Sequence, residues 1–126
     1  MISNKPYLVR ALYEWISDNG WTPYVLVKAT VPGCRVPPDH VKNGRIILNI
    51  ASDVVSKLVL GNEALEFTAR FSGMPIDIYI PITAVAAIYA KENGEGMVFP
   101  EEPPEDPADG AGTPPIKGKP NLKIVK

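Results

Sequence analysis

The chain has 126 residues, 13 basic and 14 acidic side chains, a net charge of −1, 14 prolines, one cysteine and one histidine. That length holds one ordinary core; Cys34 alone excludes an intramolecular disulfide, and Cys34 with His40 is too small a set for a zinc site of the usual Cys/His composition. Residues 1–99 carry nine basic and nine acidic groups, a balance that disfavours a phosphate-binding surface and hence direct nucleic-acid contact.

No apolar run approaches the ~20 residues that span a bilayer, and the start lacks a signal-peptide pattern, so a cytoplasmic chain without membrane association is expected. Ser3 or Asn4 caps a first helix, with Pro6 suited to its first position. Tyr7, Leu8, Ala11, Leu12, Trp15 and Ile16 recur at i, i+3, i+4 spacing until Asn19 and Gly20 end the element. The stripe is wide and aromatic. Most of it is expected to cover a sheet, and the surplus leaves a helix-to-helix homodimer contact as a second use.

Residues 24–31 read as a strand, with Val25, Val27, Ala29 and Val31 on one face and Pro32-Gly33 as its stop. Pro37-Pro38, Asp39 and Asn43-Gly44 make 34–44 a loop, the last pair suited to positive φ. In 45–51, Ile46, Leu48 and Ile50 alternate with Ile47, Asn49 and Ala51, so packing on both faces is expected. Residues 57–60 are extended and 61–63 a hairpin loop. Leu65, Phe67, Ala69 and Phe71 then alternate with Glu66, Thr68 and Arg70. Strands 45–51 and 65–71 are expected to form the heart of one sheet, where Asn49, Ala51 and Ala69 leave room for a groove. After a turn over 72–75, Ile76, Ile78, Ile80 and Ile82 mark the clearest strand. Thr83 is expected to cap a second helix with Val85, Ala86, Ile88 and Tyr89 on one face and Lys91 and Gly94 as stop signals.

The ordered domain is expected to end near Phe99. Seven prolines between 100 and 120, with Glu101, Glu102, Glu105, Asp106 and Asp109, describe a flexible linker that buries too little to offset its ordering entropy. Leu122, Ile124 and Val125 then appear among lysines, either as an extra strand on the chain's own sheet or as a motif presented to another protein. The expected fold is β-rich α+β: an N-terminal helix, strongly bent antiparallel sheets in a small open barrel or sandwich, one later helix and a disordered tail. An RNA-binding small β-barrel shares that element order and is the alternative reading; it needs a basic or aromatic face, and the balanced charge of residues 1–99 argues against one.

Catalytic chemistry has thin support. Cys34 and His40 share a loop, which does not place sulfur against ring, and nothing suggests an oxyanion hole. No catalytic residue, metal or cofactor is expected, and the pattern points to binding. Asn49 and Arg70 are the strand residues of interest: Asn49 as a strand-end amide or a ligand contact, Arg70 as an ordinary outward residue or the partner of an acidic side chain.

Several blocks, in order, carry a resemblance: Pro6-Tyr7-Leu8-Val9-Arg10-Ala11 with Tyr13-Glu14-Trp15, Leu48-Asn49-Ile50-Ala51, Ala69-Arg70-Phe71 with Gly73, and Ala87-Ile88-Tyr89-Ala90-Lys91-Glu92-Asn93-Gly94. The last block is Gly118-Lys119-Pro120-Asn121-Leu122-Lys123-Ile124-Val125-Lys126. Together they resemble the stringent starvation protein B family, specificity-enhancing adaptors of the ClpXP protease. The resemblance implies a non-enzymatic, dimerising, tag-binding domain over 1–99, joined as a homodimer through the first helix at Tyr7, Ala11 and Trp15. It implies a groove for the ssrA degradation tag of stalled nascent chains near Asn49, Ile50, Ala51, Ala69, Arg70 and Phe71. A linker over 100–117 would lead to a peptide, 118–126, that docks on the N-terminal domain of ClpX through Leu122, Lys123, Ile124, Val125 and Lys126. The linker departs from the longer, more acidic one of some relatives, which bears on tethering strength.

Overall fold

A computed structural model describes residues 3–100. The expected docking peptide, and the expected linker beyond Pro100, lie outside the described residues. Helix α1 (Lys5–Asp18) is followed by strands β1 (Pro23–Lys28), β2 (Arg45–Asn49), β3 (Ser56–Leu60), β4 (Ala64–Phe71), β5 (Met74–Pro81), β6 (Val85–Ala90) and β7 (Gly96–Val98). They form a four-stranded sheet, β2-β1-β6-β7, and a three-stranded sheet, β3-β4-β5, every pairing antiparallel and neither sheet closed into a barrel.

Helix α1 starts where Ser3 Oγ accepts from the Lys5 amide at 3.1 Å, with proline in the first turn. It ends where the Asn19 side chain donates to Trp15 O at 2.8 Å and Gly20 takes φ +76°. Val9 and Ile16 are fully buried. Lys5 is buried too, its Nζ donating to Val85 O at 2.9 Å and Ile82 O at 3.3 Å, 5.4 Å from the Phe99 ring centre. Those bonds fasten the helix start to the head of β6 and replace the hydration that a buried ammonium forfeits.

In the four-stranded sheet, Val25 stands opposite Leu48 and Ile88, and Val27 opposite Ile46 and Val85. Together with Leu65, Phe67, Ala69, Ile78 and Ile80 of the second sheet they belong to one core cluster. Each fully buried aliphatic side chain there contributes about 2 kcal/mol or more of hydrophobic stabilisation. Two tight turns match their residues. At Asn43-Gly44, φ is +55° and +76° between the mutually bonded Lys42 and Arg45; Ser72-Gly73 (+54°, +81°) joins β4 to β5.

Three expectations need correction. The second helix is strand β6, paired with β1 on one edge and β7 on the other; its Val85, Ile88 and Ala90 belong to the core cluster, and Ala87 is buried as well. A register shift opposite Leu26 and Val27 takes Ala86 out of the ladder and breaks the alternation, so the residues mimic a helical stripe. The supposed helix stop at Gly94 (φ +76°) is the turn into β7. Second, β2 and β4 do not share a sheet: β2 is an edge strand, and Ile47 is 53% exposed, so only one of its faces is packed. The chain changes sheets at a turn where Ala51 O accepts from the Val54 and Val55 amides. Third, β1 stops at Lys28, three residues short of Val31.

One exposed contact closes the domain at the β6–β7 turn. The Glu92 carboxylate accepts from the Thr22 hydroxyl at 2.7 Å and the Thr22 amide at 2.8 Å, and these bonds, the hydroxyl first, hold its pKa below the usual glutamate value. A depressed folded-state pKa means the contact stabilises above the unfolded-state pKa and is lost as pH falls through the folded one. Thr22→Ala is expected to raise the Glu92 pKa toward its ordinary value in a carboxyl-carbon NMR titration. An unchanged titration would leave the hydroxyl without that role.

Candidate functional site

The six groove residues sit at two places. Asn49 ends β2 opposite Tyr24, on the face away from buried Leu48, and its Oδ1 accepts from the Ala51 amide at 2.9 Å. That is the local backbone bond short amides make at strand ends. Its Nδ2 makes no hydrogen bond to a described residue. Ile50 is fully buried and donates to Pro23 O at 3.0 Å, while Ala51 is half-buried at the turn that leaves Val54 50% exposed.

Ala69, Arg70 and Phe71 lie at the end of β4, opposite Ile76, Pro75 and Met74. Alternation sends Ala69 and Phe71 to the core side and Arg70 outward. Arg70 is exposed, with Nη1 donating to Gly73 O at 3.2 Å. Phe71 is half-buried, its ring centre 4.9 Å from that of His40, and Met74 beside it is 64% exposed. The structure thus gathers Ile50 and Ala69 in the core cluster with Phe71 packed against it, and leaves Asn49 and Arg70 outward on different sheets. Sequence reasoning missed Val54, Met74 and the His40 stack. Only Met74, an apolar residue beside a glycine turn, offered a signal.

Arg70 continues a row with Glu66 and Thr68, and the latter two line an open groove of about 550 Å³ with Arg35, Lys57, Asp77 and Tyr79. Arg35 pairs its backbone with Tyr79 in both directions, at 2.8 and 3.1 Å, and stacks its guanidinium 4.7 Å from the ring centre. Thr68 donates to Asp77 at 2.8 Å. The cations of this groove are matched by carboxylates, which gives a phosphate backbone no basic track. It suits a ligand bearing both signs.

Burial pushes the Cys34 thiol pKa up, the reverse of what a nucleophile needs, and no hydrogen bond joins Cys34 to His40. Among the described residues no group of three or more His, Cys, Asp or Glu is placed to hold a metal ion, and no helix is long and apolar enough to cross a membrane.

The outer side of α1 carries Tyr7 (50% exposed), Ala11 and Trp15 (43%) at i, i+4, i+8, one above the other. Arg10 stacks 4.7 Å from the Tyr7 ring centre, and Trp15 meets Trp21 edge-on at 5.4 Å. These contacts hold the rings in place while about half of each side chain stays exposed.

Comparison with known proteins finds a matching family and similar relatives. The family model described as SspB, stringent starvation protein B, matches residues 3–126. The chain is also similar to the stringent starvation protein B homolog of Haemophilus influenzae, at 48% identity over 99 residues, covering 78% of this chain and 66% of that protein. The chain thus spans just under two thirds of that relative's length.

Proposed function

The chain belongs to the stringent starvation protein B family, and from that premise we propose that it is a cytoplasmic, non-enzymatic proteolysis adaptor. It binds the ssrA degradation tag of stalled nascent chains and tethers tagged polypeptides to ClpX. Asn49, Ile50 and Ala51, with Ala69, Arg70 and Phe71, contact the tag: Asn49 through its unused Nδ2, Arg70 by pairing with an acidic side chain, Phe71 as an apolar platform. Tyr7, Ala11 and Trp15 join two copies. The observation that carries this reading is a family match reaching residue 126, so that it takes in the terminal apolar-basic peptide together with the domain. The exposed guanidinium beside a half-buried aromatic ring supports the peptide contact.

Fluorescence anisotropy of a labelled tag peptide tests it. Full-length protein and a chain ending at Phe99 are expected to bind with affinities equal within about twofold. Arg70→Glu is expected to weaken binding about tenfold, the scale of replacing one charge-assisted hydrogen bond with a like-charge repulsion. Absence of saturable binding by either form would sink the adaptor reading. Binding by full-length protein alone would move part of the site into the tail.

A further inference from the structure

Among the described residues, Asn43, Lys57 and Ser72 take positive φ without being glycine. Asn43 and Ser72 each stand beside a glycine in a tight turn that demands it. Lys57 does not: it lies inside β3, at φ +58°. Ser56 pairs with Thr68 and Val59 with Glu66, so β3 uses one more residue than β4 between those pairs. The extra residue makes a bulge, whose left-handed position normally falls to glycine because glycine has no Cβ to crowd the backbone. The bulge accounts for the conformation and leaves the lysine unexplained. Nothing inside the domain uses the side chain: Lys57 is exposed and makes no hydrogen bond or ion pair with a described residue.

Strained residues concentrate where a ligand is held, and the position of Lys57 fits that. It follows exposed Val54 by three residues, on the segment that carries the chain from the sheet of Asn49 to the sheet of Arg70 and Phe71. It also lines the open groove along β4 with Glu66 and Thr68, whose outward row continues to Arg70. The register puts the backbones of Lys57 and Arg70 about 11 Å apart, roughly three residues along the strands and one strand across. Two long side chains can close that gap from either end. On β4 only Thr68 points outward between their levels, while Glu66 lies beyond and Asp77 already accepts from Thr68 at 2.8 Å. The stretch between the two cations is therefore the positive end of the groove.

We infer that Lys57 is a specificity-determining residue of the tag site, its ammonium pairing with a carboxylate of the bound peptide where that peptide passes over Thr68 toward Arg70. The strained backbone is what it costs the domain to aim a cation at that place. The inference rests on the tag reading and deepens it, adding β3 to a site otherwise drawn from β2, the turn after it and β4. It also selects the ligand by charge: a peptide whose acidic side chains are replaced by amides loses the Lys57 contact and keeps the apolar ones.

The test uses the full chain, a labelled tag peptide and the same peptide with its acidic side chains amidated, and reads both melting and anisotropy. Lys57→Gly is expected to raise Tm by about 2–5 °C, since the left-handed penalty outweighs the larger chain entropy of glycine. The same variant is expected to bind the acidic peptide about fivefold more weakly, the upper end for an exposed ion pair. Lys57→Asn, which tolerates the backbone without the added freedom of glycine, should show the same loss, and Lys57→Arg should bind within about twofold of the unmodified chain. The two changes should be coupled: with Lys57→Gly the amidated peptide costs less than about twofold further for each carboxylate that Lys57 held. A rise in Tm with unchanged affinity would overturn the inference, as would a fall in Tm, or equal losses toward the acidic and amidated peptides. Failure of the unmodified chain to bind the tag would remove the adaptor reading and this inference together, whereas tag binding indifferent to Lys57 would remove this inference alone.

Discussion

Deleting residues 122–126 is expected to leave tag affinity within about twofold of the full-length value while returning degradation of a dilute tagged substrate to its adaptor-free rate. On the adaptor reading the two functions occupy separate parts of the chain: the proposed tag contacts lie within the packed domain, and the apolar-basic end follows a proline-rich acidic stretch in the sequence. A linker over 100–117 has an end-to-end distance of roughly 25 Å if it behaves as a coil. Over that distance a docked tail would hold its cargo at an effective concentration near the millimolar range, and two tails of the proposed dimer would reinforce each other, for gains of ~10²–10⁴ without any added interaction. On this reading five residues would control the whole enhancement while contributing nothing to tag affinity. Degradation rates at substrate concentrations well below KM, measured with and without the deletion, decide the matter; undiminished stimulation would end the tethering account. Adding the free terminal peptide in excess should reproduce the deletion by competition.

Much of the domain was legible because its residues encode one periodicity at a time. In β4, Leu65, Phe67 and Ala69 are buried while Glu66 and Arg70 are exposed, as the alternation requires. Asn43-Gly44 and Ser72-Gly73 supplied turns whose positive φ few other pairs accept. The segment 83–94 failed for a local reason: a bulge at Ala86 and burial from both sides erased the period of two, and apolar runs of six residues do not distinguish strand from helix. Sheet membership failed because alternation reports which face is buried but not which strand lies alongside; β2 and β4 carry the same pattern and belong to different sheets. For the candidate site, residue type singled out Asn49 and Arg70. Their outward placement on two sheets, and the Phe71 contact with His40 from 31 residues upstream, depend on tertiary packing that no local pattern records.

Gly96→Ala is expected to be the most damaging single methyl group in the domain. A Cβ at position 96 would stand 2.1 Å from Ile88 O, 2.6 Å from Tyr89 Cα and 2.9 Å from Tyr89 Cβ. All three atoms belong to β6 or project directly from it, and β6 cannot retreat because β1 is bonded to its other edge. Relief must come from β7, which would swing out and take with it the pairs Ala87 with Val98 and Ile88 with Met97, together with the bond from Phe99 to Ala86. Exposing the Phe99 ring alone costs about 2–3 kcal/mol, and the Lys5 ammonium loses its aromatic neighbour. A total near ~3 kcal/mol follows, an upper figure set by how much β7 contributes, since the peripheral strand can peel while the rest stays folded. For a domain of this size that is a fall in Tm of roughly 12–20 °C, with amide exchange at Phe99 rising first. Gly94→Ala separates the causes: its backbone has φ +76° but nothing lies within 4 Å of the added carbon, so only the conformational cost of about 1–2 kcal/mol applies. Gly96 itself has no positive φ, so a loss at Gly96→Ala no larger than at Gly94→Ala would mean that β7 gives way at little cost and that its approach to β6 does not set the requirement for glycine at 96.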